Sequence, residues 1–147
     1  MIERYTLPEM GRIWSEQTKL ENWLKIEILV CEAWAQLDAL PVSALENIKS
    51  KARFNLARVQ EIEEEVRHDV IAFLTNVAEY VGEDSKYIHM GLTSSDVLDT
   101  GLALQLRDSC DLILDRLHRL AGVLGDKARE HKYTLMMGRT HGIHAEP

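Results

Sequence analysis

Between Val97 and Leu124 the chain repeats an apolar side chain at helical spacing, and no proline interrupts it. The stripe is Val97, Leu98, Leu102, Leu106, Ile113, Leu114, Leu117, Leu120, Ala121 and Leu124. Recurrence at three and four residues marks a helix with one face for burial. The pattern predicts a single helix from the segment around Asp96 to about Arg129. A periodic run beyond about 25 residues exceeds an ordinary surface helix and calls for a bundle or coiled-coil partner. An all-α fold is the class that accommodates it.

Composition agrees. Of 147 residues, 46% are hydrophobic and only 3 are proline, so one domain-sized chain has the apolar content for a core and few helix breakers. The net charge of −7 argues against a nucleic-acid surface, which is normally basic. No run approaches the ~18 apolar residues of a membrane span. The opening Met1-Ile2-Glu3-Arg4 does not read as a signal peptide. The expectation is a soluble cytoplasmic protein with no membrane partner. Cys31 and Cys110 both sit in apolar helical patterns and are expected to be reduced, buried thiols.

Upstream, Pro8 and Gly11 punctuate an entry segment with a short helix near Met10–Trp14. Leu20, Trp23, Leu24, Ile28, Cys31, Trp34, Ala35 and Leu37 predict a helix from Thr18 to about Leu40, closed by Pro41. Ser43 with Glu46 reads as a capping box for a helix to about Ala52. Asn55 is placed to cap a helix over residues 56–66, whose Glu61, Glu63, Glu64 and Glu65 form a solvated face. Another helix covers about Asp69–Tyr80 and stops at Gly82; residues 83–92 read as a loop. Residues 133–146 lose the helical period and are expected to be extended or irregular, with Pro147 suited to the first turn of a further helix.

Four segments break the helical rhythm and gather anion-friendly side chains: Arg4-Tyr5, Arg67-His68-Asp69, His89 through Asp96, and Gly138 through Pro147. They hold His68, His89, His141 and His144, whereas His118 and His131 fall in ordinary helical pattern and read as surface residues. Thr93-Ser94-Ser95-Asp96 opens the long helix. Thr93 with Asp96 reads as a cap, and the hydroxyls and free N–H groups there also suit an anion. The two roles are compatible. Asp69 can cap the helix it begins or accept the ring N–H of His68, and a surface Arg-His-Asp run without function is also common. Arg4 beside Tyr5 can hold a phosphate. His141, in a glycine-rich stretch beside Arg139, suits a proton donor to an anionic substrate. The spacing of His141, His144 and Glu146 is unlike the usual zinc patterns, so no metal site is expected.

Taken in order, these motifs resemble the adenylosuccinate lyase family of the fumarase/aspartase superfamily. The resemblance runs from Met1-Ile2-Glu3-Arg4-Tyr5 through Arg67-His68-Asp69-Val70 and Gly91-Leu92-Thr93-Ser94-Ser95-Asp96 to Met136-Met137-Gly138-Arg139-Thr140-His141-Gly142-Ile143-His144-Ala145-Glu146-Pro147. It implies a small N-terminal helical domain over residues 1–92 and, over 93–147, the first long helix of a fumarase/aspartase-type helical bundle. It implies a homotetramer that eliminates fumarate from adenylosuccinate, giving AMP, and from the succinyl-carboxamide ribotide of purine biosynthesis, with no metal or organic cofactor. Residue by residue, it implies His141 as general acid, His68 as its assistant and Asp69 as a group orienting His68. Thr93 and Ser94 would grip the succinyl carboxylates. Arg4 and Tyr5 would bind phosphate, with Arg67 and His89 completing the nucleotide site. The family's catalytic base is a serine on a glycine-rich loop well downstream, so the resemblance reads this chain as an amino-terminal portion, inactive alone.

Two other readings compete. One is a different lyase or cycloisomerase of the same superfamily, which would not need the Arg4-Tyr5 phosphate site. The other is a non-catalytic helical module whose stripe serves assembly; activity insensitive to Thr93→Ala and His141→Ala would favour it.

Overall fold

The computed structural model describes residues 2–146, so Pro147 and its suggested helix start lie outside the described residues. After a 3-10 turn at Glu3–Tyr5 come six α-helices: α1 (Pro8–Ile13), α2 (Glu16–Gln36), α3 (Val42–Lys51), α4 (Leu56–Val66), α5 (Asp69–Val81) and α6 (Ser94–Glu130). Two short strands follow, β1 (Arg139–Thr140) and β2 (Ile143–His144). Contacts divide the chain into two compact units, Met1–Ser109 and Cys110–Pro147, and α6 runs from one into the other. The all-α expectation holds.

In the first unit α5 carries the centre of the core. Its Val70, Ala72, Phe73 and Val77 are fully buried, as are Ile48 of α3 and Val97 of α6, and Leu20 and Trp23 of α2 with Val59 and Ile62 of α4 are nearly so. Phe73 meets Trp23 and Phe54 edge-on, with ring centroids 5.7 and 5.8 Å apart. That geometry places a positive ring edge against a negative face. The first part of α6 docks through Val97, Gly101, Gln105 and Ser109, spaced four apart on one stripe. Gln105 donates its amide to the Ile13 carbonyl at 2.7 Å, tying α6 to the end of α1.

Helix boundaries follow local chemistry. Ser15 caps α2 by accepting the Thr18 N–H, and Asn55 caps α4 by accepting the Arg58 N–H at 3.0 Å. The capping box expected from Ser43 and Glu46 does not form. Helix α3 starts directly after Pro41 with no side-chain cap bond, because the proline's φ of −60° already leads into it and Ser43 falls inside the first turn. The loop expected over 83–92 is partly ordered as a 3-10 turn at Gly82–Tyr87. Among the described residues, no helix is long and apolar enough to cross a membrane.

The second unit holds the rest of α6 and a hairpin. Residues 133–146, expected to be extended or irregular, include the antiparallel pair Arg139↔His144 and Thr140↔Ile143. The turn between them is His141-Gly142, with φ of 49° and 76°. Two successive positive φ values are what a tight two-residue hairpin turn needs, since they match the twist of the strands. Gly138 makes the closure possible: a β-carbon there would stand 2.6 Å from the Glu146 carbonyl oxygen. Cys110 is another correction. Cys31 is buried as expected, but Cys110 is exposed, because it falls off the docking stripe of α6.

Candidate active site

Arg4 and Tyr5 are exposed in the first turn, and the guanidinium lies 4.7 Å from the Tyr5 ring centroid. The stack preorganises a cation and a phenol side by side.

Arg67, His68 and Asp69 form the joint between α4 and α5. Arg67 ends α4 in the left-handed conformation, φ 53°. His68 is the N-cap of α5, its Nδ1 accepting the Ile71 N–H at 3.4 Å. A nitrogen that accepts carries no hydrogen, so the neutral ring holds its proton on Nε2, which the cap leaves available. The Asp69 carboxylate takes the Val70 N–H at 2.7 Å and stands 3.6 Å from His68 Nδ1, so the cap falls to His68 rather than to Asp69. The sharp joint also turns neighbours apart. Arg67 shares a hollow with Gln60, Glu63 and Glu64, whereas Asp69 lines a different cleft with Ser15, Lys19, Trp23 and Asp99.

His89 follows the 3-10 turn and also has positive φ, 66°. Its ring and backbone are held by Glu27 of α2 (below). Thr93 stands just before α6, and Asp96 in the first turn accepts both its N–H, at 2.7 Å, and its hydroxyl, at 3.0 Å. The Asp96 carboxyl is held below the usual range first by these two Thr93 donors, with a smaller contribution from neighbouring His89. His89 and the start of α6 are thus brought together, with Ser94 as the first helical residue. The Thr93 hydroxyl spends its hydrogen on Asp96, which leaves its oxygen lone pairs able to accept.

His141 belongs to the second unit. It is exposed at the tip of the hairpin, the first residue of the turn. Among the described residues, Arg67, His89 and His141 are three of the four non-glycine residues with positive φ, Asp38 being the other. Such conformations cost about 1–3 kcal/mol each and gather where function requires them. Among the described residues, no three His, Cys, Asp or Glu side chains converge as a metal-ligand set.

A family model described as lyase matches residues 3–147. The chain belongs to the lyase family. Among curated relatives, the chain is 63% identical over 147 residues to an adenylosuccinate lyase of Synechocystis sp. and 49% identical over the same length to that of Bacillus subtilis. All of the chain is covered in both comparisons, and it spans 34% of the length of each relative. Among solved structures, the chain superposes with a TM-score of 0.85 on a fumarate lyase from Mesorhizobium sp., at 30% identity, covering 92% of this chain and 33% of that one. It superposes equally well, at 0.85, on a 3-carboxy-cis,cis-muconate lactonizing enzyme from Pseudomonas putida, at 34% identity, covering 96% of this chain and 34% of that one.

One residue that holds a candidate side chain was not singled out from the sequence: Glu27, whose carboxylate meets His89. The signal was present. Leu20, Trp23, Glu27, Cys31 and Trp34 make one continuous helical stripe, and a lone acid within such a stripe must find a partner when it is buried.

Proposed function

We propose that these residues serve an adenylosuccinate lyase, eliminating fumarate from adenylosuccinate to leave AMP, and acting likewise on the succinyl-carboxamide ribotide. Residues 1–92 act as its N-terminal helical domain and 93–147 as the start of the central bundle domain, in a cytoplasmic homotetramer. The similarity of the whole chain to curated adenylosuccinate lyases supports the substrate. The geometric observation that carries the site is the coincidence of positive φ at Arg67, His89 and His141 with the candidate residues.

The β-elimination makes three demands. Developing negative charge on the succinyl carboxylates needs donors: Ser94 and the N-terminus of α6 offer them directly, and Thr93 does so when its hydroxyl turns from Asp96 to the substrate. The departing nitrogen needs a proton, which His141 supplies from the exposed hairpin tip, with His68 assisting through its free Nε2 and Asp69 beside it. The phosphate needs cations and polar contacts, the part of Arg4, Tyr5, Arg67 and His89.

The test is fumarate release from adenylosuccinate by the full-length lyase and its Thr93→Ala and His141→Ala variants. Each is expected to lose about 100-fold or more in rate, the scale of a lost proton donor or fixed dipole. Undiminished turnover in both would overturn the reading. AMP should compete with the substrate; failure to compete would favour a non-nucleotide lyase or cycloisomerase.

A further inference from the structure

Glu27 lies in the middle of α2 with only 1% of its surface exposed, flanked by Ile26 and Ile28. Both its oxygens reach one residue 62 positions away. Oε2 accepts the backbone N–H of His89 at 2.8 Å, and Oε1 meets the ring Nδ1 at 2.6 Å. Burying a carboxylate costs several kcal/mol unless its lone pairs are satisfied. Helix packing does not require an acid here, since an aliphatic side chain would simply continue the stripe. The cost is offset by what the acid does to His89.

It does two things. An ionised carboxylate can only accept, so the nitrogen it touches carries the hydrogen. The other nitrogen, Nε2, is left for a ligand, and about a fifth of the His89 side chain (19%) stays exposed. The second oxygen grips the backbone of a residue at φ 66°, a conformation that side-chain-bearing residues rarely hold unaided. The charge is felt nearby: Cys31, one turn further along α2, has its thiol pushed up to about 11, first by burial and then by Glu27.

We propose that Glu27 is a positioning residue of the nucleotide site: its carboxylate fixes the His89 imidazole with hydrogen on Nδ1 and so presents Nε2 to the substrate. This rests on the reading that His89 contributes to that site. Glu27→Gln preserves shape but turns an acceptor toward a donor, which drives the ring hydrogen to Nε2.

The experiment uses the full-length lyase with Glu27→Gln, His89→Gln and the double variant, reading KM for adenylosuccinate against kcat. Glu27→Gln is expected to raise KM about tenfold, the scale of losing a partner that orients a functional histidine, with a smaller change in kcat. His89→Gln should raise KM comparably, and the double variant no further, because Glu27 acts only through His89. Additive losses, or an unchanged KM in Glu27→Gln beside a raised one in His89→Gln, would overturn the positioning role. An unchanged KM in His89→Gln would instead remove His89 from the nucleotide site and the role of Glu27 with it. If the amide variant does not fold, Glu27→Asp keeps the charge but withdraws it by one methylene. The same rise in KM is then expected, and an unchanged KM refutes the proposal.

Discussion

Gly101 of α6 leaves the space that the Trp23 ring of α2 occupies: a β-carbon at 101 would stand 2.9 Å from Trp23 Cδ1 and 3.1 Å from its Nε1. Trp23 is 3% exposed and packed edge-on to Phe73, so the ring cannot retreat. Gly101→Ala should therefore destabilise the first unit. Overpacking costs about 1–3 kcal/mol, partly offset by roughly 1 kcal/mol of helix propensity. Denaturant unfolding should show a net loss of up to about 2 kcal/mol; a gain would mean that α6 can shift away from α2.

Asn76 is fully buried and joins two helices. Its Oδ1 accepts the Asn55 N–H at 2.8 Å and its amide donates to Glu79, which in turn pairs with Arg58. Asn76→Ala strands that N–H and takes one donor from Glu79, at an expected cost of about 1–3 kcal/mol in chemical denaturation. Asn76→Asp should be worse than a neutral loss, because it sets a buried carboxylate against Glu79.

Burial, and then Glu27, pushes the Cys31 thiol up from 9.0 to about 11. A thiol raised in the folded state contributes stability below the unfolded value, and that stability is lost as pH rises. Between pH 9 and about 11 the native state should lose about 1 kcal/mol per pH unit from this group. The variant Cys110→Ser isolates it: a disulfide reagent near neutral pH should label Cys31 only after unfolding. Rapid labelling of the folded chain would show that the core opens.

Asp96 is the opposite case. Its carboxyl is lowered by the Thr93 N–H and hydroxyl and by His89. A depressed acid stabilises the fold above its unfolded value and ceases to as pH falls through the folded one. The N-terminus of α6 should therefore fray in acid, below the ordinary carboxylate range, seen as faster amide exchange at Thr93. Exchange there that does not change with acidification would deny Asp96 the capping role.

Gly138→Ala drives a β-carbon into the Glu146 carbonyl and should displace the hairpin that carries His141. A shift of about 1 Å in a reacting group can cost 100-fold. In the full-length lyase kcat should fall on that scale while thermal stability changes little. An unchanged kcat would separate hairpin geometry from catalysis.

The helices were legible because their signals are local. Asn55 caps α4 with its side-chain oxygen on the Arg58 N–H, Asp96 reaches back to the Thr93 N–H before α6, Gly82 ends α5 with φ 78°, and the long stripe became α6 within a residue or two of its expected ends. The candidate segments were legible for the same reason, as breaks in a period. The Ser43–Glu46 box misled because Pro41, two residues earlier, starts the helix first.

Neighbouring residues along the chain thus determined which segments are helical and where they stop, since each depends on interactions within one or two turns. Tertiary structure alone decided that Glu27 answers His89 across 62 residues, that His141 rides on a paired hairpin, and that Cys110 faces outward while Cys31 is enclosed. Local spacing specifies a face to bury; which partner meets it is settled when the helices close over one another and every buried polar group must find its complement.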